Sequence, residues 1–301
     1  MPKITVGILT YNRRETVLKA IQSAFDQGFA EMEVVVVDSN SQDGTAGAIR
    51  KQFPDVKLVC LPRNLGCPGG RNHVYANATG DYIVNLDDDG WLGEHALERV
   101  VETFESDSSI GIVCMRQCFP EEENPSELAH SDRVREVGGF RGGVSAFSRM
   151  MLDEIGLYPD DFFFFKEEEF LAIRALDAGH KIVSRPDIIM WHPRFGPSGS
   201  TEVCWDYYRF RNPLLVVTRL FSGWLMIEYL ILRMGSYALI SLPRGTFHKY
   251  LAAVTSVLWR LPRTLLTRRP CSAEAVRKYL RLIHGDDQAH DRASAQIIDM
   301  E

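Results

Sequence analysis

Three adjacent carboxylates, Asp87, Asp88 and Asp89, follow directly on the apolar run Val84-Asn85-Leu86. A protein interior holds charges this dense only where something positive compensates them. A divalent cation carrying a diphosphate would do so, because hard cations favour carboxylate and phosphate oxygens. A solvated turn at a strand end is the other reading, and the triplet alone does not choose between them. A second stretch with chemical potential runs from Asn64 to Asn72, where Gly66, Gly69 and Gly70 permit close backbone approach and Arg71 follows. A guanidinium near a helix start suits a diphosphate, and a surface charge beside a tight turn is the plainer alternative. The third is Glu167-Glu168-Glu169, behind the aromatic run Phe162–Phe165. These glutamates could supply a general base toward a hydroxyl, or merely open a helix, where acidic residues are favoured anyway.

These residues need elements to position them. The first two hundred residues alternate short apolar runs with helical spacing, the pattern of an α/β sheet flanked by helices. Strands are expected at Ile4–Leu9, Glu33–Val37, Val56–Val59, Asp81–Leu86, Gly111–Cys118 and Ile188–Trp191. Val17, Ala20, Ile21, Ala24 and Phe25 fall on one helical face, and further helices are expected up to Ala78, from Leu97 to Phe104 and from Glu167. Asn64–Asn72 reads as a Gly-rich loop, and Pro120–His130 as an exposed acidic one. Thr10-Tyr11, Asp38 and the 87–89 triplet all stand at strand carboxyl ends, where open α/β sheets bind ligands.

Several of these segments, in this order, resemble family 2 glycosyltransferases, inverting enzymes with the GT-A fold. They are the Thr10-Tyr11-Asn12-Arg13 turn, Val37-Asp38-Ser39-Asn40-Ser41-Gln42-Asp43-Gly44-Thr45, Asn64-Leu65-Gly66 through Gly69-Gly70-Arg71-Asn72, and Leu86-Asp87-Asp88-Asp89. The resemblance spans about residues 4 to 192. It implies that Asp87 faces the nucleotide ribose and Asp89 a metal, with Asp88 beside them. It likewise implies that Asp38 binds the nucleotide, that Thr10 and Tyr11 edge its base, and that Gly69 and Arg71 belong to the donor pocket. The family's late histidine matches His192, which would complete the metal site with Asp87 and Asp89. The family's base follows an aromatic run and precedes an Arg and an Ala-Gly pair. Arg174 and Ala178-Gly179 match that layout and make Glu168 the base, with Glu169 the alternative if the register shifts by one. Glu168 stands where an Asp is usual, and Phe170 where a second acidic residue is common.

Composition sets the wider frame. At 301 residues and 45% hydrophobic, the chain can bury one large core or two. Met1-Pro2-Lys3 leads into the first strand with no cleavage site after it, and the six cysteines form no Cys-x-x-Cys pair. A reduced, cytoplasmic compartment is expected. The net charge of −6 is uneven: Thr201 to Ile283 holds 13 Lys and Arg against 4 Asp and Glu, a balance of +9, which leaves −15 for the remainder. A basic segment rich in Leu, Trp, Phe and Tyr suits an anionic membrane surface better than nucleic acid. No apolar run reaches the roughly 20 residues of a spanning helix, so peripheral contact with the inner membrane face is expected. A simple helical cap with solvated arginines is the other reading.

The organisation expected is therefore a GT-A catalytic domain over 1–200, a basic aromatic helical region over 201–284, and a disordered acidic tail over 285–301. The function expected is inverting transfer of a sugar from a nucleotide-diphosphate donor to a saccharide or lipid-linked acceptor in cell-surface polysaccharide synthesis, with Mn or Mg as cofactor. A catalytically degraded nucleotide-sugar-binding or scaffold subunit is the alternative, motivated by Glu168 and Phe170.

Overall fold

A computed structural model describes residues 3–122, 134–194 and 205–289. Four strands form its parallel half: β1 (Ile4–Thr10), β2 (Met32–Asp38), β3 (Lys57–Cys60) and β4 (Tyr82–Asp87), in the order β3-β2-β1-β4. Val34, Val35, Val36 and Val37 are all buried, as a parallel strand covered on both faces requires. The sheet continues from β4 through β8 (Val144–Ser148) and β6 (Ile110–Cys118) to β9 (Lys181–Trp191) and β5 (Trp91–Leu92), while β7 (Arg135–Glu136) pairs with β9. β8 is antiparallel to both its neighbours, and β6 and β9 are parallel.

Helices cover both faces. On one side, α1 (Arg14–Phe25), α2 (Thr45–Gln52) and α4 (Ala96–Ser106) bury Val17, Ile21, Ile49, Leu97 and Phe104 against β1, β2 and β4. On the other, α3 (Gly66–Asn77), α5 (Arg149–Ile155) and α6 (Glu167–Asp177) form a core with Ile83, Ile112 and Phe147. That second core also takes in Leu214, Leu215, Phe221 and Val276 from α7 (Trp205–Leu220), the segment after it and α10 (Ala273–Ala289). Between them run α8 (Gly223–Ser241) and α9 (Phe247–Thr267). The C-terminal helices thus share the core on this face of the sheet.

Three features differ from the sequence expectation. The Gly-rich stretch is helix from Gly66 onward, not loop. A Cβ on Gly66, whose φ is +76°, would overlap the Phe163 carbonyl, and one on Gly70 would overlap Leu9. These glycines let α3 pack tightly, which outweighs their poor helix propensity. β9 is eleven residues long rather than four, because a register shift lets Ser184-Arg185-Pro186-Asp187 pass through the sheet. Residues 285–289 of the expected tail continue α10. Residues 290–301, and 123–130 of the acidic loop, lie outside the described residues.

Candidate functional site

Strand register assembles the site. Thr10 pairs with Asp38 across β1 and β2, and Leu9 pairs with Asp87 across β1 and β4. The carboxyl ends of three adjacent parallel strands therefore deliver Thr10, Asp38 and the acidic triplet to one edge. Thr10 and Asp38 are buried, and the Asp38 carboxylate accepts the Ser41 N–H at 3.3 Å. Tyr11 is half-buried in the turn that follows. That turn is pinned to the next loop: Asn12, at φ +52°, donates its N–H to Ser41 Oγ and accepts the Gln42 N–H. Asp43 receives the backbone N–H groups of Arg14 and Thr45, tying the starts of α1 and α2 together.

Every aspartate of the triplet meets a cationic side chain. Asp87 is paired with Arg71 Nη2 at 2.6 Å, and Arg71 is itself almost fully buried. Asp88 lies 3.1 Å from Arg13 Nη1, and the same nitrogen also bonds Asp89. His192 Nε2 sits 3.0 Å from Asp89 and 4.0 Å from Asp87. Burial pushes Asp88 up to about 7 despite Arg13. Burial acts the same way on Asp89, but His192 and Arg13 outweigh it and hold that carboxyl below its ordinary range. The hydrogen bond to Asp89 raises His192 to about 9.

Does this set suit a divalent cation? His192 Nδ1 is 2.8 Å from the Pro193 carbonyl, which fixes the ring and leaves Nε2 toward Asp89 and Asp87. One imidazole nitrogen and two carboxylates are competent donors for Mn or Mg. Among the described residues no three His, Cys, Asp or Glu side chains are gathered into a ready cage, so ligand oxygens would complete any coordination. With that completion the residues fit.

The glutamate triplet divides into three roles. Glu168 is half-buried and accepts the Gly142 N–H; burial raises its affinity for a proton above that of an ordinary glutamate. Glu167 is buried beside Cys67, and burial together with the neighbouring Glu168 charge pushes it up as well. Glu169 faces the other way. Burial alone would raise it, but Arg233 Nη2 at 2.6 Å and Lys166 Nζ at 3.2 Å hold it at about 2.

Some site residues were not foreseen. The motif resemblance gives Arg13 no role, although the β1–β4 pairing places the residues after Thr10 opposite those after Asp87. Asn85, fully buried, donates to Tyr75 Oη and to the Gly142 carbonyl, both at 2.8 Å. It anchors the Gly142–Gly143 turn between the two carboxylates: a Cβ on Gly142 would meet Glu168 Oε1 at 2.9 Å, and one on Gly143 would overlap Asp87. A buried Asn inside an apolar strand was the available signal. Gly69, by contrast, is buried in α3 with Leu65 filling the space beside it.

Comparison with known proteins adds context. The family model described as Glycosyl transferase family 2 matches residues 5–168. The succinoglycan biosynthesis protein ExoO of Rhizobium meliloti is 38% identical over 104 residues, 34% of this chain and 30% of that protein. A GalNAc(5)-diNAcBac-PP-undecaprenol beta-1,3-glucosyltransferase of Campylobacter jejuni is 33% identical over 106 residues, 34% of each. The chain thus matches about a third of the length of these relatives. Among solved structures, the mannosyltransferase PcManGT from Pyrobaculum calidifontis, in complex with GDP-Man and Mn2+, superposes with a TM-score of 0.57 at 21% identity, covering 96% of this chain and 80% of that one. TarS 1-349 of S. aureus with UDP-GlcNAc gives 0.64 at 16% identity, covering 87% and 82%. The fold is that of the GT-A glycosyltransferases.

Proposed function

The chain belongs to glycosyl transferase family 2, and on that premise we propose that it is an inverting glycosyltransferase using a nucleotide-diphosphate sugar. One observation carries the reading: the Gly142–Gly143 backbone is wedged between the Asp87 and Glu168 carboxylates, which would put the nucleotide on the Asp87 side and the acceptor on the Glu168 side. A donor held on the triplet would present its anomeric carbon toward Glu168. Glu168 takes the acceptor hydroxyl proton; the oxygen forms a bond to the anomeric carbon as the sugar–phosphate bond breaks, and the nucleoside diphosphate leaves with the electron pair. Glu169 is excluded from that role by its two cations, which would lock it as a carboxylate away from substrate. Asp38, Thr10 and Tyr11 hold the nucleoside, while Arg71 orients Asp87. A divalent cation held by Asp89, Asp87 and His192 would supply Lewis-acid stabilisation of the leaving diphosphate.

The acceptor proposed is a saccharide or lipid-linked glycan in cell-surface polysaccharide synthesis, met at the cytoplasmic face of the membrane by peripheral contact. The relatives' names, one of them citing an undecaprenol-linked substrate, support this. So do the apolar side chains left exposed on α8 and α9, among them Trp224, Leu239 and Leu266. Among the described residues no helix is long and apolar enough to cross a membrane.

The test is donor hydrolysis and transfer over a panel of nucleotide sugars with added manganese. Asp89→Ala and Glu168→Gln should each lower kcat by at least about a hundredfold. Wild-type turnover in both variants would sink the mechanism. Donor binding by the wild-type chain without turnover on any acceptor would point instead to a binding or scaffold subunit.

A further inference from the structure

Away from the acidic edge, a cavity of about 610 Å³ opens where the ends of α7 and α9 meet α6. Six guanidinium groups line it, those of Arg174, Arg219, Arg260, Arg263, Arg268 and Arg269, against one carboxylate, Asp161. That carboxylate is fully engaged: Arg219 grips it with both terminal nitrogens at 2.8 and 2.7 Å. Arg268 donates to the Thr218 and Phe221 carbonyls, which fixes it at the end of α7. Arg174 Nε is buried with no hydrogen-bond partner. Among the described residues Arg263 and Arg269, both exposed, form no ion pair. So many like charges around one concavity repel each other and build a strongly positive local potential, which a bound anion would relieve.

The surroundings say which anion. Trp259, 81% exposed, lines the mouth, and Leu266 on the same helix is 86% exposed. Trp259, Arg263 and Leu266 recur at about one helical turn and so share a face of α9. A soluble phosphate would need the arginines but not the bare tryptophan and leucine. A lipid headgroup at a membrane surface uses both, with the aromatic ring at the headgroup level and the apolar side chains below it.

We propose that this pocket is a second anion site, which receives the phosphate of an anionic lipid headgroup while Trp259 and Leu266 enter the lipid surface. The proposal rests on the membrane contact argued above but not on sugar transfer. It also gives the site a line to the chemistry. Asp161 and Phe170 line the pocket from the segment that carries Glu168, so an occupied pocket would brace the loop holding the base.

The test is co-sedimentation of the full chain with phosphatidylcholine vesicles and with the same vesicles containing phosphatidylglycerol. Wild-type protein should sediment with the anionic vesicles only. Arg263→Ala/Arg269→Ala, at exposed positions that bind nothing else, should weaken this by roughly thirtyfold, at about a factor of five per basic residue. Its unchanged melting temperature would show that it folds. Inorganic pyrophosphate should displace the wild-type protein at concentrations where sodium chloride of equal ionic strength does not. If the double variant sediments like the wild type, or salt competes as well as pyrophosphate, the pocket is overturned while peripheral membrane contact stands. If no vesicle is bound, yet pyrophosphate binds the wild type and not the double variant, the lipid assignment fails and the ligand is a soluble phosphate. If neither vesicles nor pyrophosphate bind, the pocket and the membrane contact fail together, and donor turnover, read separately, is untouched.

Discussion

At the scale of single residues, what distinguishes Glu168 from its neighbours is company. Glu169 meets two cations and stays ionised at any ordinary pH, whereas Glu168 receives two backbone N–H groups, its own and that of Gly142, and burial outweighs them together with the more distant charge of Arg71. Its pKa is therefore raised, and a base works only when ionised. The activity it supports is present above that raised pKa and lost as pH falls through it. The acid limb of kcat/KM should lie above the ordinary glutamate value of about 4.3 and be absent from the residual activity of Glu168→Gln. A limb at or below about 4.3 in the wild type would refute the assignment. The two glycines make a sharper pair. Gly143→Ala would drive a methyl group into Asp87, and Gly142→Ala would crowd Glu168. Misplacing a reacting group by about an ångström can cost on the order of a hundredfold. We expect Gly143→Ala to act mainly on donor affinity and Gly142→Ala mainly on kcat, and calorimetry with a donor beside steady-state kinetics separates the two. The motifs could indicate Asp87, Asp89 and Glu168 by type and order. They could not indicate Arg13 or Asn85, whose importance comes from what a neighbouring strand brings alongside them.

At the scale of elements, sequence periodicity worked where an element's own residues decide its structure and failed where packing does. The valine run of β2 is legible because burial on both faces demands it. α3 is not: its opening Gly-Cys-Pro-Gly-Gly reads as a loop, and only the approach of Leu9 and the Phe163 carbonyl explains why a helix there needs glycine. Most of β9 was hidden in the same way, since Ser184-Arg185-Pro186-Asp187 interrupts its apolar pattern where the register shifts. The coupling of α8 to α6 was equally invisible, because Arg233 and Glu169 are 64 positions apart. That ion pair yields a stability prediction. Glu169 is held at about 2 in the fold, below its unfolded value of about 4.3. The stabilisation it gives is complete above about 4.3 and disappears as pH falls toward 2. Arg233→Ala should cost about 3 kcal/mol at neutral pH by stranding a buried carboxylate, and less in acid. Urea unfolding at pH 7 and near pH 3 measures this, and an equal loss at both would rule the ion pair out as the cause.

At the scale of the whole molecule, the sequence suggests a boundary near residue 200, where an acidic part gives way to a basic one. The charge asymmetry is legible because counting needs no structure. Whether the boundary is also a seam in stability depends on where α7 and α10 bury their apolar faces, which counting does not reveal. They bury them against the sheet, in the cluster that α3, α5 and α6 also form. Leu214, Leu215 and Phe221 are essentially inaccessible within the same cluster as Ile83 and Phe147. Asn212 donates to the Phe164 and Phe165 carbonyls just before Glu168, and Lys278 pairs with Glu136 at 2.6 Å. Each fully buried large apolar side chain contributes roughly 2 kcal/mol. Removing Leu214, Leu215 and Phe221 alone would therefore withdraw on the order of 6 kcal/mol, comparable to the 5–15 kcal/mol by which a domain is stable at all. The full chain should accordingly unfold in one calorimetric transition, and residues 1–200 alone should show no cooperative transition and no donor binding. Two separated transitions in the full chain, or a cooperatively folded 1–200 fragment that binds donor, would instead make the helical region a separate module. It could not then be the element that sets the position of Glu168.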